Sequence, residues 1–290
     1  MERRISGTTR LLALFGSPVG HSGSPAMYNY SFEKLGIDYA YLAFDVTVDT
    51  IAQAVQAAKT LNMRGFNITM PCKTEALQYM DELSPAARLI GAVNTVVLED
   101  GKLWGHNTDG RGFVLNLGQH GVDVKGKKMT ILGGGGAATA IFVQAALDGA
   151  REISVFNVKD SFFANIEATA AKLSKEAPDC GVKVCDLADE ALLKAEIADS
   201  DLLVNATRVG MKPMDGESPI KDSSVFRKDL VVCDVVYNPK ETKLMRDAAA
   251  AGCEKVIGGT GMLLWQGVEA FKLYTGKDMP VKEVQTLYFS

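Results

Sequence analysis

Residues 129–138 restrict the fold of this chain more than any other segment. An apolar run at 129–132 leads into Gly133-Gly134-Gly135-Gly136, and an alanine-rich stretch with helical character follows over 137–150. A Gly133-x-Gly135-x-x-Ala138 pattern between a strand and a helix is the arrangement that cradles a dinucleotide. The first glycine makes the tight turn, and the second lets the backbone approach a pyrophosphate. The small third position lets helix and strand pack closely. The helix start then offers unpaired N–H groups and the positive end of its dipole to the phosphates. Glycine clusters also mark ordinary turns, so the flanking strand and helix carry the argument. Gly133, Gly134, Gly135, Gly136 and Ala137 are therefore expected to hold a dinucleotide.

Strand and helix signals alternate downstream of this loop. Strands are expected at 152–157, 182–187, 201–207 and 230–237, and helices at 162–176 and 241–251. Such alternation implies right-handed crossovers and a parallel sheet covered on both faces, a Rossmann-type doubly wound domain. The upstream part is also α/β. It has strand signals at 11–15, 39–46, 65–69 and 92–98, and a helical stretch at 25–35. Asp100-Gly101 reads as a hairpin turn leading into 103–107. Ser84-Pro85 supplies the cap and first residue of a helix. At 290 residues the chain is long enough for two domains. The boundary is expected near residue 110, where the second alternating series begins.

Composition excludes several function classes. Apolar residues make up 47% of the chain, which rules out disorder, and the net charge of -4 comes without the basic stripe of a nucleic-acid binder. No stretch approaches the ~18 apolar residues of a membrane span. Met1-Glu2-Arg3-Arg4 lacks the apolar core of a secretory signal. Cys72, Cys180, Cys185, Cys233 and Cys253 are odd in number and form no Cys-x-x-Cys pair. They read as reduced thiols of a cytoplasmic protein, not as a disulfide framework or zinc site. His21, His106 and His120 share no ligand spacing, so no metal is expected.

Cofactor choice turns on the end of the second strand of the Rossmann series, Asn157-Val158-Lys159-Asp160. An acidic residue there takes the ribose hydroxyls of NAD, whereas a basic one accommodates the 2′-phosphate of NADP. Asp160 fits the first role and Lys159 tolerates the second. Asp160 also fits a helix cap before 162. The balance favours NAD, with NADP possible.

Polar residues concentrate in short segments of the first part: Ser22-x-Ser24-Pro25, Asn67-x-Thr69-x-Pro71-x-Lys73, Gly91-Ala92-x-Asn94-Thr95 and Asn107-Thr108-Asp109-Gly110. Taken singly, each reads as a turn former or a cap. With Asn205-Ala206-Thr207, Asp234-x-x-Tyr237-x-Pro239 and Gly261-Met262-Leu263-x-x-Gln266, they resemble the shikimate dehydrogenase family, including its quinate/shikimate branch. The pieces run in family order over nearly the whole chain.

The resemblance implies a substrate-binding and catalytic domain over 1–110, a Rossmann cofactor domain over 111–260, and a last helical segment, 261–290, returning to the first domain. It implies that Ser22, Ser24, Asn67, Thr69, Asn94, Tyr237 and Gln266 contact a cyclic polyol acid, with Lys73 and Asp109 as the catalytic pair. Asn157, Lys159 and Asp160 would face the adenosine end of the cofactor, and Thr207 and Gly259 the nicotinamide end. The implied reaction is reversible hydride transfer between 3-dehydroshikimate and shikimate, on the way to chorismate and the aromatic amino acids. Action on quinate is possible, and a monomer or homodimer is expected. The rivals are a dedicated quinate dehydrogenase, a non-catalytic NAD(H) sensor, disfavoured by retention of Lys73 and Asp109, and an amino-acid or folate dehydrogenase of related two-domain shape, which leaves the Ser22–Ser24 and Asn94 segments unexplained. Two positions depart from the family pattern. Cys72 stands where histidine or asparagine is common, and reads as a packing thiol or, beside Lys73, a reactive thiolate. Val158 stands where NADP-preferring members carry arginine. Met70 and Lys159-Asp160 lean toward the quinate/shikimate branch.

Overall fold

A computed structural model describes residues 5–289 and divides the chain into two compact units. One comprises the chain up to Thr108 and again from Gln266 onward; the other runs from Asp109 to Trp265.

The first unit contains β1 (Arg10–Gly16), α1 (Ser24–Lys34), β2 (Tyr39–Asp45), α2 (Ile51–Thr60), β3 (Gly65–Ile68), β4 (Glu82–Leu83), α3 (Pro85–Ile90), β5 (Thr95–Glu99) and β6 (Lys102–His106). Its sheet has the order β2-β1-β3-β5-β6-β4. β1 runs parallel to β2 and β3, while β5 is antiparallel to β3 and β6. The reversal at the β5–β6 hairpin has a local cause. Asp100 and Gly101 both take positive φ, 49° and 76°, as a two-residue type I′ turn demands. Alternate residues of β1, Ala13 and Phe15, join Ile51 and Val55 of α2 and Phe66 and Ile68 of β3 in one apolar cluster. Tyr41 of β2 stacks on Tyr28 of α1 with ring centroids 4.5 Å apart.

The second unit contains α4 (Asp109–Gln119), β7 (Lys128–Leu132), α5 (Gly136–Leu147), β8 (Glu152–Asn157), α6 (Ser161–Glu176), β9 (Gly181–Asp186), α7 (Glu190–Ala198), β10 (Leu202–Asn205), β11 (Val231–Asp234), α8 (Lys243–Ala250) and β12 (Lys255–Ile257). Its strands lie in the order β12-β11-β10-β7-β8-β9 and pair in parallel throughout. This is the doubly wound order, and it reverses between β7 and β10. Met129, Ile131 and Leu132 have no exposure, which is why β7 is apolar without alternation: both sheet faces are covered. Right-handed crossovers carry α5 and α6 to one face. α7 and α8 share a cluster on the other, through Leu193, Ile197, Leu244 and Ala248 with Leu132, Leu203 and Val232.

The chain leaves the second unit within α9 (Thr260–Thr275) and ends with α10 (Val281–Tyr288). Phe271 of α9 lies 5.5 Å from Phe32, and Tyr28 Oη donates to the Gly267 carbonyl at 3.1 Å. Arg64 ties the same helix down by donating Nε–H to the Tyr274 carbonyl at 2.7 Å. Glu283 of α10 pairs with Lys34 of α1 at 3.0 Å. Among the described residues, no helix is long and apolar enough to cross a membrane.

Several elements differ from sequence expectation, each for a local reason. The strands expected over 201–207 and 230–237 shorten to β10 and β11, because the Asn205 and Asp234 side chains bond to the following main chain and turn it. The helix expected from 241 starts at Lys243, since Thr242 caps it through the Met245 N–H. The strand expected over 92–98 begins at Thr95. Helices α2, α4 and α7 were not expected from the sequence, although Asp189 caps α7 by accepting the Leu192 N–H at 2.9 Å.

Candidate active site

The strand register of the first unit gathers the polar segments at one sheet edge. Asn67 lies opposite Leu14 of β1 and Thr95 of β5, and Thr95 lies opposite His106 of β6. The loops leaving β1, β3 and β6 and the segment entering β5 therefore end together. These segments hold Ser22 and Ser24, Thr69 and Lys73, Asn94, and residues 107–108.

A buried amide–hydroxyl network fixes this edge. Asn67 Oδ1 accepts from Tyr41 Oη at 2.8 Å, and its Nδ2 donates to the Asn94 carbonyl at 3.1 Å and Thr95 Oγ1 at 3.0 Å. Asn94 Oδ1 accepts from the Thr108 N–H at 2.8 Å and Thr95 Oγ1 at 2.9 Å, while its Nδ2 donates to Thr108 Oγ1 at 3.0 Å. Thr108 Oγ1 lies 3.5 Å from Gln266 Oε1. Asn67, Asn94 and Gln266 are thus drawn together, joined by Thr95 and Thr108. Both donors and the acceptor of Asn67 are spent inside the network, so it positions Asn94. The Lys73 carbonyl accepts from the Val93 N–H at 3.0 Å, holding the lysine's loop to the β5 approach. Thr69 donates its N–H to the Phe15 carbonyl at 2.8 Å. Ser22 and Ser24 sit together, Ser22 Oγ accepting the Ser24 N–H at 3.2 Å. Asp109 follows directly on Thr108 as the first residue of α4.

Two neighbouring groups resolve into support. His106 accepts the Asn94 N–H through its carbonyl at 3.0 Å, and burial holds its imidazole below the ordinary histidine value. Cys72 is fully buried and donates Sγ–H to the Val46 carbonyl at 3.3 Å. Burial, reinforced by Glu75, pushes its thiol up, so Cys72 is a packing thiol and the reactive-thiolate alternative falls.

In the second unit, the cradle lies at the C-terminal ends of parallel strands. Gly133 has φ +110°, and a Cβ there would stand 2.8 Å from the Ala206 carbonyl. Any side chain at Gly134 would press on Asn157, 2.9 Å from its Cγ. Gly135 and Gly136, by contrast, have nothing within 4 Å of their Cβ positions. The α5 N-terminus has no side-chain cap and no acidic residue in its first turn. Its N–H groups and dipole are left for an anion, which fits a pyrophosphate. Asn157 Nδ2 donates to the Val158 carbonyl at 2.8 Å and to Asp160 Oδ1 at 2.9 Å. Asp160 Oδ1 also accepts the Phe162 N–H at 2.9 Å, so the cap reading of Asp160 is realised. Lys159 Nζ pairs with Asp186 at 3.4 Å.

The loops after β10 and β11 are tied beneath by a buried carboxylate. Thr207 donates both N–H and Oγ1–H to Asn205 Oδ1, at 3.0 and 2.7 Å. Asn205 Nδ2 donates to Asp234 Oδ1 at 3.0 Å, and Thr242 donates to Asp234 Oδ2 at 2.7 Å. Burial raises the Asp234 carboxyl above the usual range, and the bonds from Thr242, Val236 and Asn205 oppose that rise. Gly259 packs on the Val235 and Val236 carbonyls with no room for a side chain, and Tyr237 is half exposed. Sequence reasoning gave Thr108 and Thr242 no role. Thr108 was visible as the neighbour of Asp109, whereas nothing local marked Thr242.

A doubly wound parallel sheet with a glycine cradle, in one chain with an α/β unit bearing clustered hydroxyls, amides and a lysine, defines a nicotinamide-dinucleotide-dependent dehydrogenase. Residues 14–96 match the family model for the shikimate dehydrogenase substrate binding domain, and residues 259–286 the shikimate 5′-dehydrogenase C-terminal domain. A shikimate dehydrogenase (NADP(+)) of Streptococcus uberis is 51% identical over 292 residues, covering 100% of this chain and 99% of the relative. One of Listeria monocytogenes is 49% identical over 289 residues at the same coverage. The crystal structure of a Listeria monocytogenes shikimate 5-dehydrogenase in complex with shikimate and NAD is 49% identical, with a TM-score of 0.96 over 99% of both chains. The chain belongs to the shikimate dehydrogenase family and is an oxidoreductase acting on a CH–OH group.

Proposed function

We propose that this enzyme interconverts 3-dehydroshikimate and shikimate, binding the acid on its first unit and the dinucleotide on its second. The observation that carries the reading is the single sheet edge at which the segments bearing Ser22, Ser24, Thr69, Lys73 and Asn94 leave or enter their strands, with Gln266 bonded into its network. Three hydroxyls, two amides and an amine suit a small ring bearing a carboxylate and several hydroxyls. The bound nicotinamide supplies the hydride acceptor. The alcohol's proton needs a separate acceptor, and Lys73 Nζ supplies it: neutral, it takes the proton, and charged, it steadies the negative oxygen. The family resemblance assigns Asp109 the second catalytic role. Asn67 holds Asn94 in place, while Tyr237, Thr207 and Gly259 frame the nicotinamide end.

We assign NAD as the preferred dinucleotide. Val158 offers no cation, Lys159 is engaged by Asp186, and Asp160 follows the end of β8, where an acidic residue takes the ribose hydroxyls. The names of the two curated relatives carry NADP(+), so the cofactor arm of the test decides this part. Five buried thiols, Cys72, Cys180, Cys185, Cys233 and Cys253, support a reducing, cytoplasmic setting.

The test is a rate matrix of shikimate and quinate against NAD and NADP, run on the wild type and on Lys73→Ala. The expected outcome is highest kcat/KM with shikimate and NAD. Lys73→Ala should lower kcat by about 10²–10⁴-fold while dinucleotide affinity stays nearly intact. Unchanged turnover in Lys73→Ala sinks the mechanism, and strict NADP dependence sinks the cofactor assignment.

A further inference from the structure

The adenosine end of the cradle holds a second carboxylate that the glycine loop and the Asn157–Asp160 segment do not reveal. Asp186 is the last residue of β9, and the β8–β9 register sets it directly opposite Asn157. Its Oδ1 accepts the Ala188 N–H at 3.0 Å, which fixes the carboxylate against its own turn. Its Oδ2 lies 3.4 Å from Lys159 Nζ. Lys159 is the cation of the Asn157–Asp160 segment, and its side chain is 71% exposed. The Leu187 N–H bonds to the Asn157 carbonyl at 3.0 Å, so both carriers of this ion pair are anchored to the same pair of strand ends.

We propose that Asp186 is a specificity-determining residue that disfavours a 2′-phosphorylated dinucleotide. It acts in two ways, both electrostatic. It holds the ammonium that a 2′-phosphate needs as its partner, and it adds a negative charge at the strand end opposite Asn157, next to the segment that would receive that phosphate. A phosphomonoester carries a charge of about -1.5 to -2 at neutral pH. A ribose hydroxyl carries none, so the penalty falls on NADP and spares NAD. The pair is exposed, and exposed ion pairs are individually weak. The device therefore biases the choice; it does not enforce it. This inference rests on the reading of the second unit as the dinucleotide-binding unit.

The experiment is calorimetric binding of NAD and NADP to the full chain, with steady-state kcat/KM for each, in wild type, Asp186→Asn, Lys159→Gln and the double variant. Asp186→Asn should shift the NAD-to-NADP affinity ratio at least about fivefold toward NADP, the size expected for freeing one exposed cation and removing one charge. The shift should be smaller at 1 M salt, where charges at this spacing are screened. In the double variant the part of the gain that comes from the liberated lysine should vanish, leaving the part that comes from the removed charge. A ratio moving less than twofold in Asp186→Asn overturns the proposal, as does a gain that survives Lys159→Gln in full. Binding of neither dinucleotide by the wild type would instead overturn the dinucleotide reading, and this inference with it.

Discussion

Asp234 shows how much one side chain can organise. Its two oxygens accept from Asn205, Thr242 and the Val236 N–H, all out of water. Asp234→Ala would leave two side chains and one main-chain donor unpaired, at about 1–3 kcal/mol for the first such group. We expect a lower Tm by differential scanning calorimetry and a weaker grip on Thr207, read as a raised KM for the dinucleotide. Asp234→Asn, which keeps the shape, should recover much of the Tm. The thiols give a second residue-scale expectation. All five are buried, and burial pushes every one of them up, Cys180 to about 11. Thiolates are then scarce at neutral pH. Ellman's reagent should label the native protein slowly and all five positions rapidly in guanidinium; rapid native labelling of Cys72 would contradict the packing assigned to it.

At the scale of the element, the strand–loop–helix β7–α5 separates two uses of glycine. Gly133 sits at φ +110° against the Ala206 carbonyl, so a methyl group there meets backbone that cannot swing aside. Gly135 faces open space, where a methyl group is harmless to the fold but stands where a phosphate must approach. Gly133→Ala should therefore destabilise the unit by about 1–3 kcal/mol. Gly135→Ala should keep the wild-type Tm and raise the Kd for either dinucleotide. Equal Tm losses in the two variants would refute the distinction. The same element shows why helix α5 looks uniform in sequence: Ala138, Ala140, Ile141, Phe142 and Val143 are all fully buried, so no polar stripe is left to mark a solvent face.

At the scale of the molecule, acid stability should track one ion cluster built around the buried Lys128 in the second unit. Lys128 has a nearly buried side chain and pairs with Glu152 at 3.1 Å, Glu196 at 2.8 Å and Asp199 at 2.9 Å. Burial alone would lower the Lys128 ammonium, but its three carboxylate partners outweigh that and raise it. Burial likewise pushes Glu196 up, and Lys128, Ser154 and Lys183 reverse this, carrying it from 4.5 to about 2. A carboxyl depressed on folding contributes stability that is present above the unfolded value and lost as pH falls through the folded one. The window here is pH 4.5 down to about 2, and the loss amounts to about 3 kcal/mol. Lys128→Met should flatten that acid-edge slope and cost about 1–3 kcal/mol at neutral pH, because Lys183 alone is left to pair Glu152 and Glu196. Denaturant melts across pH 2–7 would show both effects. The cluster was not legible beforehand, since Lys128, Glu152 and the α7 pair Glu196 and Asp199 belong to three separate segments that only the fold brings together. Asp160 shows the opposite limit, for a helix cap and a ribose ligand leave the same mark in sequence. The sequence by itself determined the β7–loop–α5 cradle, the Asp100-Gly101 hairpin and the order of the motifs, because each rests on backbone geometry within a few residues. Tertiary structure alone decided that Asn67 is spent on Asn94, that Thr108 links Asn94 to Gln266, and that Asp186 holds Lys159. Those bonds join segments distant in sequence, and pairing register sets which side chains meet.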